Sequence, residues 1–121
     1  MSLNILAVDD SRSMRDMVRL ALGAAGMTVT TADDGVHGLE VLEGMAPDAI
    51  ISDINMPRLD GFCFIRAVRA MERMRGVPIL VLTTESAPEL KARAREAGAT
   101  GWIVKPFDPG KLVKTVQMVT G

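Results

Sequence analysis

The chain has 121 residues, 48% hydrophobic and 24% charged, a size and balance suited to one soluble globular domain with a single real core. Its formal net charge of −1 offers no basic field to hold nucleic acid or an anionic membrane. No apolar run approaches the ~20 residues of a spanning helix, Met1-Ser2-Leu3 carries no export signal, and the single cysteine, Cys63, cannot form an internal disulfide, all of which suits the cytoplasm.

In chain order, short apolar runs alternate with amphipathic ones five times, without low-complexity linkers or internal repeats. The first predicted strand is Asn4–Val8, followed by the acidic pair Asp9-Asp10. A helix over about Ser13–Ala25 sets Met14, Met17, Val18, Ala21 and Leu22 on one face and Arg12, Arg15, Asp16 and Arg19 on the other, and Gly26 stops it. Thr28–Thr31 is a short strand at or near a sheet edge. The next helix, about Gly35–Gly44, is weakened by Gly38 and by its opening glycine. Ala49–Ser52 is an apolar third strand running into Asp53, and the loop after it is closed by Pro57 and Asp60-Gly61.

The third helix carries Phe64, Ile65, Val68 and Met71 at helical spacing. Pro78–Leu82 is apolar throughout, as expected of a strand buried on both faces of a parallel sheet. Ser86-Ala87-Pro88-Glu89 has the form of a capping box, and Leu90, Ala94 and Ala97 line the fourth helix up to Gly98. Gly101–Val104 is the fifth strand. Asp108-Pro109 opens the last helix, whose stripe is Leu112, Val113, Val116 and Val119.

Alternating strands and helices with short connections predict right-handed crossovers and an α/β, doubly wound parallel sheet, a (βα)5 flavodoxin-like fold of strand order 2-1-3-4-5. In such sheets ligands sit beyond the carboxyl ends of the strands. Asp9-Asp10, Asp53, Thr83-Thr84 and Lys105 follow strands one, three, four and five, so the polar residues that need explaining share one sheet edge. Three clustered carboxylates repel, by about 4 kcal/mol per pair at ~4 Å and an effective dielectric near ~20. A hard cation relieves this, and oxygen-only donors suit Mg²⁺. Asp10 and Asp53 are the expected direct ligands, Asp9 a direct or water-mediated one, and a backbone carbonyl near Asn55 completes the shell. A carboxylate beside Mg²⁺ can attack a phosphoryl group, with Lys105 neutralising charge and the Thr83 hydroxyl bonding the new phosphoryl oxygen. That dianion would draw Thr83 and Lys105 inward and change the shape of whatever they hold.

Val8-Asp9-Asp10, Ser52-Asp53-Ile54-Asn55-Met56-Pro57, Asp60-Gly61, Thr83 and Val104-Lys105-Pro106-Phe107 together resemble the receiver domain of bacterial two-component response regulators. The likeness runs the whole length, 1–121, and is strongest to the single-domain chemotaxis regulators of the CheY type. The resemblance implies that Asp53 accepts phosphate from a histidine kinase, that Asp9 and Asp10 bind Mg²⁺, that Thr83 and Trp102 form the switch, and that Lys105-Pro106 is cis. It also implies a signalling module rather than an enzyme for an outside substrate. By the same token the partners are a chemotaxis histidine kinase, a flagellar motor switch protein and a phosphatase; the alternative is a phosphate sink that drains the kinase. Asn55 and Glu85 lie near positions that tune hydrolysis in this family. The sequence departs from the pattern at Trp102, usually Tyr or Phe, and at Ile54, aromatic in some relatives.

The output surface is expected on Trp102 and the exposed sides of the last two helices, at Lys91, Arg95, Lys111 and Lys114. Arg12, Arg15 and Arg19 read as a solvated face flanking the acids, His37 as solvent-facing and Cys63 as a packed helix residue. Competing functions fit less well. A small phosphatase with an aspartyl-phosphate intermediate needs an acid two residues after its nucleophile, where this chain has Asn55. A flavodoxin-like redox protein would meet an acidic loop that repels flavin phosphate. A receiver from a longer DNA-binding regulator is disfavoured because the sequence given has no DNA-reading element.

Overall fold

A computed structural model describes residues 2–121; Met1 lies outside them, so the reading of Met1-Ser2-Leu3 is covered only from Ser2. The elements are β1 (Asn4–Val8), α1 (Arg12–Ala24), β2 (Thr28–Ala32), α2 (Gly35–Leu42), β3 (Ala49–Ser52), α3 (Gly61–Ala70), β4 (Ile79–Thr83), α4 (Pro88–Ala97), β5 (Gly101–Val104) and α5 (Pro109–Thr120), with a 3₁₀ turn at Glu72–Met74. All strand pairings are parallel and the order is β2-β1-β3-β4-β5. The predicted doubly wound, flavodoxin-like sheet is therefore the observed one, with β2 at an edge.

Side-chain alternation along the strands splits the core in two. Leu6, Val8, Ile50 and Val81 face α2, α3 and α4, packing with Leu42, Phe64, Ile65, Val68 and Ala94. Ile5, Ala7, Ile51, Leu80 and Leu82 face α1 and α5, packing with Val18, Leu22, Leu112 and Val116. Both faces of the central strands are covered, which is why β1, β3 and β4 read as apolar runs.

Gly38, which weakened the second helix on propensity alone, has a packing reason: a Cβ there would lie 2.9 Å from the Phe64 ring and 3.2 Å from Val8. Close approach of α2 to the sheet outweighs the propensity cost of glycine.

Several local expectations are corrected. The helix starts are set by caps: Ser11 caps α1, Asp34 α2, Asp60 α3 and Asp108 α5. Helix α4 has no capping box. Its N-cap is Ala87, with no side-chain cap, because the residue before a proline is excluded from helical backbone and Pro88 must be first in the helix. Strand β4 extends through Thr83, one residue past the predicted end, while α2 ends at Leu42 rather than Gly44. Met17, expected on the buried face of α1, is 47% exposed and lines the open groove between α1 and α5. Cys63, read as packed, is exposed on the first turn of α3.

Candidate functional site

Parallel pairing carries the C-terminal ends of β1, β3, β4 and β5 to one edge of the sheet, and the backbone there is fixed before any side chain acts. Asp9 N–H donates to the Ala32 carbonyl (3.1 Å), Asp53 N–H to that of Val8 (3.0 Å), and Lys105 N–H to that of Thr83 (2.7 Å). The strand pairing thus continues one residue past the strands and delivers Asp9, Asp53 and Lys105 to the same place. The peptide bond Lys105-Pro106 is cis, as the resemblance implied.

Carboxylate oxygens of Asp9, Asp10 and Asp53 lie within 4.8 Å of one another. Lys105 sits between two of them, its ammonium donating to Asp9 Oδ2 (2.8 Å) and Asp53 Oδ2 (2.9 Å). The other oxygen of each is held by backbone: Asp9 Oδ1 accepts from Ser11 N–H (2.9 Å), and Asp53 Oδ1 from Ile54 N–H (2.7 Å) and, more weakly, Asn55 N–H (3.4 Å). Both carboxylates are therefore oriented from two sides. Asp9 and Asp53 are buried while Asp10 is exposed, which leaves the cluster open to solvent on one side.

Three carboxylates against one ammonium leave the site with excess negative charge. Burial pushes Asp9 above the ordinary carboxylate range, against the opposing pull of Lys105 and the Ser11 N–H, and the neighbouring Asp53 charge adds to the rise. For Lys105 burial acts in the opposite sense, but the hydrogen bonds and attraction of two acids outweigh it and hold its pKa above that of an ordinary lysine. One ammonium shared by two carboxylates is itself well satisfied and leaves the acids under-compensated. A donor set of hard oxygens, negative in sum and open on one side, fits a small divalent cation such as Mg²⁺. It does not fit zinc: His37 is engaged with Asp33 at 3.0 Å and Cys63 is on α3.

Thr83 is fully buried at the end of β4, and its Oγ1 accepts a long bond from Glu85 N–H (3.4 Å), whereas Thr84 is exposed. Glu85, which the resemblance set with Asn55 near positions that tune hydrolysis, is also a junction whose contacts the sequence did not show. Its carboxylate meets Asn55 Nδ2 (3.4 Å) and its carbonyl accepts from Trp102 Nε1 (2.9 Å). The loop after β4 thus touches the loop after β3, the buried hydroxyl and the half-buried indole of β5. The donor of this last bond is the indole N–H of Trp102, a group that a phenylalanine at this position would lack.

The expected output residues divide. Lys91, Arg95 and Trp102 line one small depression of about 70 Å³ between α4 and β5. Lys114, by contrast, lines a larger apolar groove of about 690 Å³ between α1 and α5, with Met17, Leu20, Phe107 and Val113. Lys111 is exposed in the first turn of α5. Arg15, read as part of a solvated face, instead turns to the site and donates to the Asp9 carbonyl (2.7 Å).

The family model described as response regulator receiver domain matches residues 5–117. The chain is 36% identical over 118 residues to the chemotaxis protein CheY of Pseudomonas aeruginosa, covering 97% of this chain and 95% of that one. Among solved structures, the chemotaxis response regulator CheY4 of Vibrio cholerae superposes with a TM-score of 0.93 at 49% identity, over 98% of this chain and 99% of that one. The receiver domain of sensor histidine kinase PA1611 from Pseudomonas aeruginosa, solved with a magnesium ion coordinated in its active site cleft, has a TM-score of 0.92 at 30% identity, with 100% and 99% coverage. Other curated relatives are longer: the chain spans 45% of one and 14% of another.

Proposed function

Because the chain belongs to the response regulator receiver domain family, we propose that residues 1–121 form a single phosphorelay receiver that takes a phosphoryl group from a histidine kinase onto Asp53 and signals through altered protein contacts. The observation that carries this is the convergence of three carboxylates and Lys105 at the ends of three different strands. A charge cluster of this kind is costly for folding alone and useful for phosphoryl transfer.

In this reading a carboxylate oxygen of Asp53 attacks the phosphorus of the kinase's phosphohistidine. The P–N bond breaks, and the imidazole leaves with the electron pair and takes up a proton. Asp9, Asp10, Asp53 and the Asn55 backbone carbonyl would hold Mg²⁺, which supplies neutralisation of phosphoryl oxygens when bound. Ile54 N–H fixes the angle of the Asp53 carboxylate, and Lys105, already touching it, pairs with the phosphoryl group as negative charge accumulates. Only the chain's own side chain is modified, so the protein is a signalling module. Asn55 in place of an acid supports a slow loss of phosphate rather than rapid turnover.

The similarity to chemotaxis regulators supports a chemotaxis histidine kinase as donor, with a flagellar motor switch protein and a phosphatase as partners. No helix among the described residues is long and apolar enough to cross a membrane, and a cytoplasmic setting follows from the proposed partners. Thr83 and Trp102 serve as the switch: the buried hydroxyl turns to the phosphoryl group, the loop at Glu85 follows, and the indole bonded to that loop reports it to the α4–β5 surface at Lys91 and Arg95. Lys111 and Lys114 extend the basic rim along α5.

The test is intact mass and peptide mapping after incubation with a small acyl phosphate, with and without Mg²⁺. One phosphoryl group per chain, on the Asp53 peptide and only with Mg²⁺, is expected; modification elsewhere or independent of metal would refute the assignment. The switch is tested separately. Thr83→Ala should accept phosphate to a similar extent yet bind its phosphorylation-dependent partner at least tenfold more weakly, about 1.4 kcal/mol. Equal binding by the phosphorylated variant and wild type would rule out coupling through Thr83.

A further inference from the structure

We propose that Arg58 is a positioning residue for the metal site, tying the loop between β3 and α3 to the N-terminus of α2 and so setting the affinity of the acidic cluster for Mg²⁺. The inference rests on the Mg²⁺ reading above and adds a residue outside the cluster that controls it.

Arg58 is the one non-glycine residue with positive φ (66°) among the described residues. A side chain with a Cβ occupies that region only where its surroundings impose it. Here they do. The guanidinium grips Asp34 with two parallel bonds, Nε to Oδ2 (2.6 Å) and Nη2 to Oδ1 (2.9 Å). Asp34 is itself fixed: it is 6% exposed, and its Oδ1 accepts from His37 N–H (2.8 Å) as the N-cap of α2. The Arg58 guanidinium and the His37 N–H hold its carboxyl below the usual range, so it stays ionised at neutral pH.

A second contact in the same place is independent of charge. A Cβ on Gly35, the first residue of α2, would lie 2.7 Å from the Leu59 carbonyl oxygen. The helix start and the loop therefore meet backbone to backbone. At its other end the loop is closed by Gly61 N–H to the Ile54 carbonyl (2.9 Å). Residues 54–60 are thus held at their base and at their tip, and Asn55, whose carbonyl is an expected metal ligand, lies between the two anchors. Cutting the ion pair removes the side-chain anchor but leaves the Leu59 N–H to Pro57 carbonyl turn and the Gly35–Leu59 contact, so residues 55–58 gain freedom to shift and move Asn55 while Asp9, Asp10 and Lys105 stay in place.

Electrostatics distinguishes positioning from a simple field effect. Removing the Arg58 cation would by field alone tighten Mg²⁺ binding, and neutralising Asp34 would weaken it. Loss of the clamp weakens binding in both cases. Asp34→Asn keeps a good N-cap, so it cuts the ion pair without uncapping α2.

The experiment is Mg²⁺ titration calorimetry at fixed ionic strength on wild type, Asp53→Asn, Arg58→Ala, Asp34→Asn and the double variant, each checked for folding by circular dichroism. Wild type should bind one Mg²⁺ with a heat that Asp53→Asn removes. Arg58→Ala and Asp34→Asn should each raise the Kd about tenfold, and the double variant no further, since both cut one link. A Kd for Arg58→Ala equal to or tighter than wild type overturns the inference, and if that variant does not fold, an unchanged Kd for Asp34→Asn does so. Absence of Asp53-dependent Mg²⁺ binding in wild type would instead overturn the metal reading and this inference together.

Discussion

Asp53→Asn is expected to give a folded chain that takes up no phosphoryl group. Asparagine keeps the shape of the side chain and an oxygen for the Ile54 N–H, so the local backbone bond (2.7 Å) has no reason to break. What it loses is the anionic nucleophile, and no other carboxylate of the cluster is oriented in the same way. Asp9 shares Lys105 but is turned by Ser11 N–H, and Asp10 is exposed. The charge balance also favours folding of the variant. Lys105 keeps Asp9 at 2.8 Å, while one of three mutually repelling acids is removed. Melting without Mg²⁺ should therefore be no lower than that of wild type. With Mg²⁺ the two should separate, because wild type gains stability by linkage, about 2.7 kcal/mol at a metal concentration of ~100 Kd, and the variant gains little. Intact mass after acyl phosphate treatment and thermal unfolding with and without Mg²⁺ measure both. Continued phosphoryl uptake by Asp53→Asn would move the acceptor to another residue.

The cluster could be read in the sequence because its geometry is made by strand ends. Apolar runs that stop at Asp9, Asp53, Thr83 and Lys105 need only parallel pairing to converge, and parallel pairing follows from the alternation of elements. The residues that could not be read are those whose partners depend on how helices and loops pack. Arg58 and Asp34 are 24 positions apart with no pattern linking them, and a long guanidinium stem can reach many acceptors. Arg15 had the spacing of a solvent face, yet one guanidinium nitrogen turns back past the start of α1 to the Asp9 carbonyl six residues earlier. Arg69 and Arg73 likewise end on carbonyls, of Gly98 and Met74 and of Met45 and Leu42, joining α3 and the turn after it to neighbouring elements. Helix starts fell between the two cases. Asp108-Pro109 was legible because cap and proline agree, whereas at Ser86–Glu89 the proline overrode the cap pattern.

Gly61→Ala is expected to damage fold and site together, and for a steric reason that no rotamer can relieve. A Cβ on Gly61 would press on the Asp53 carbonyl oxygen and lie 2.5 Å from the Ile54 Cα, so the atoms in the way are backbone. The first residue of α3 could accommodate it only by moving away from the segment that carries Asp53, which would break the Gly61 N–H bond to the Ile54 carbonyl (2.9 Å). Overpacking of this kind costs ~3 kcal/mol at the upper end of its usual range. Displacing Asp53 from Lys105 should add a loss of Mg²⁺ affinity. Gly23→Ala provides the matching control. It lies within α1, at negative φ, with nothing within 4 Å of an added Cβ, and should stabilise by about 0.5–1 kcal/mol through lower chain entropy in the unfolded state. Urea unfolding with unchanged slope reads both changes on one scale. If Gly61→Ala unfolds within ~0.5 kcal/mol of wild type, the range of an ordinary surface substitution, α3 is free to shift and does not press on the acceptor segment. If instead it is destabilised while Gly23→Ala is stabilised, the close approach of α3 to Asp53 is what holds that aspartate at the end of β3.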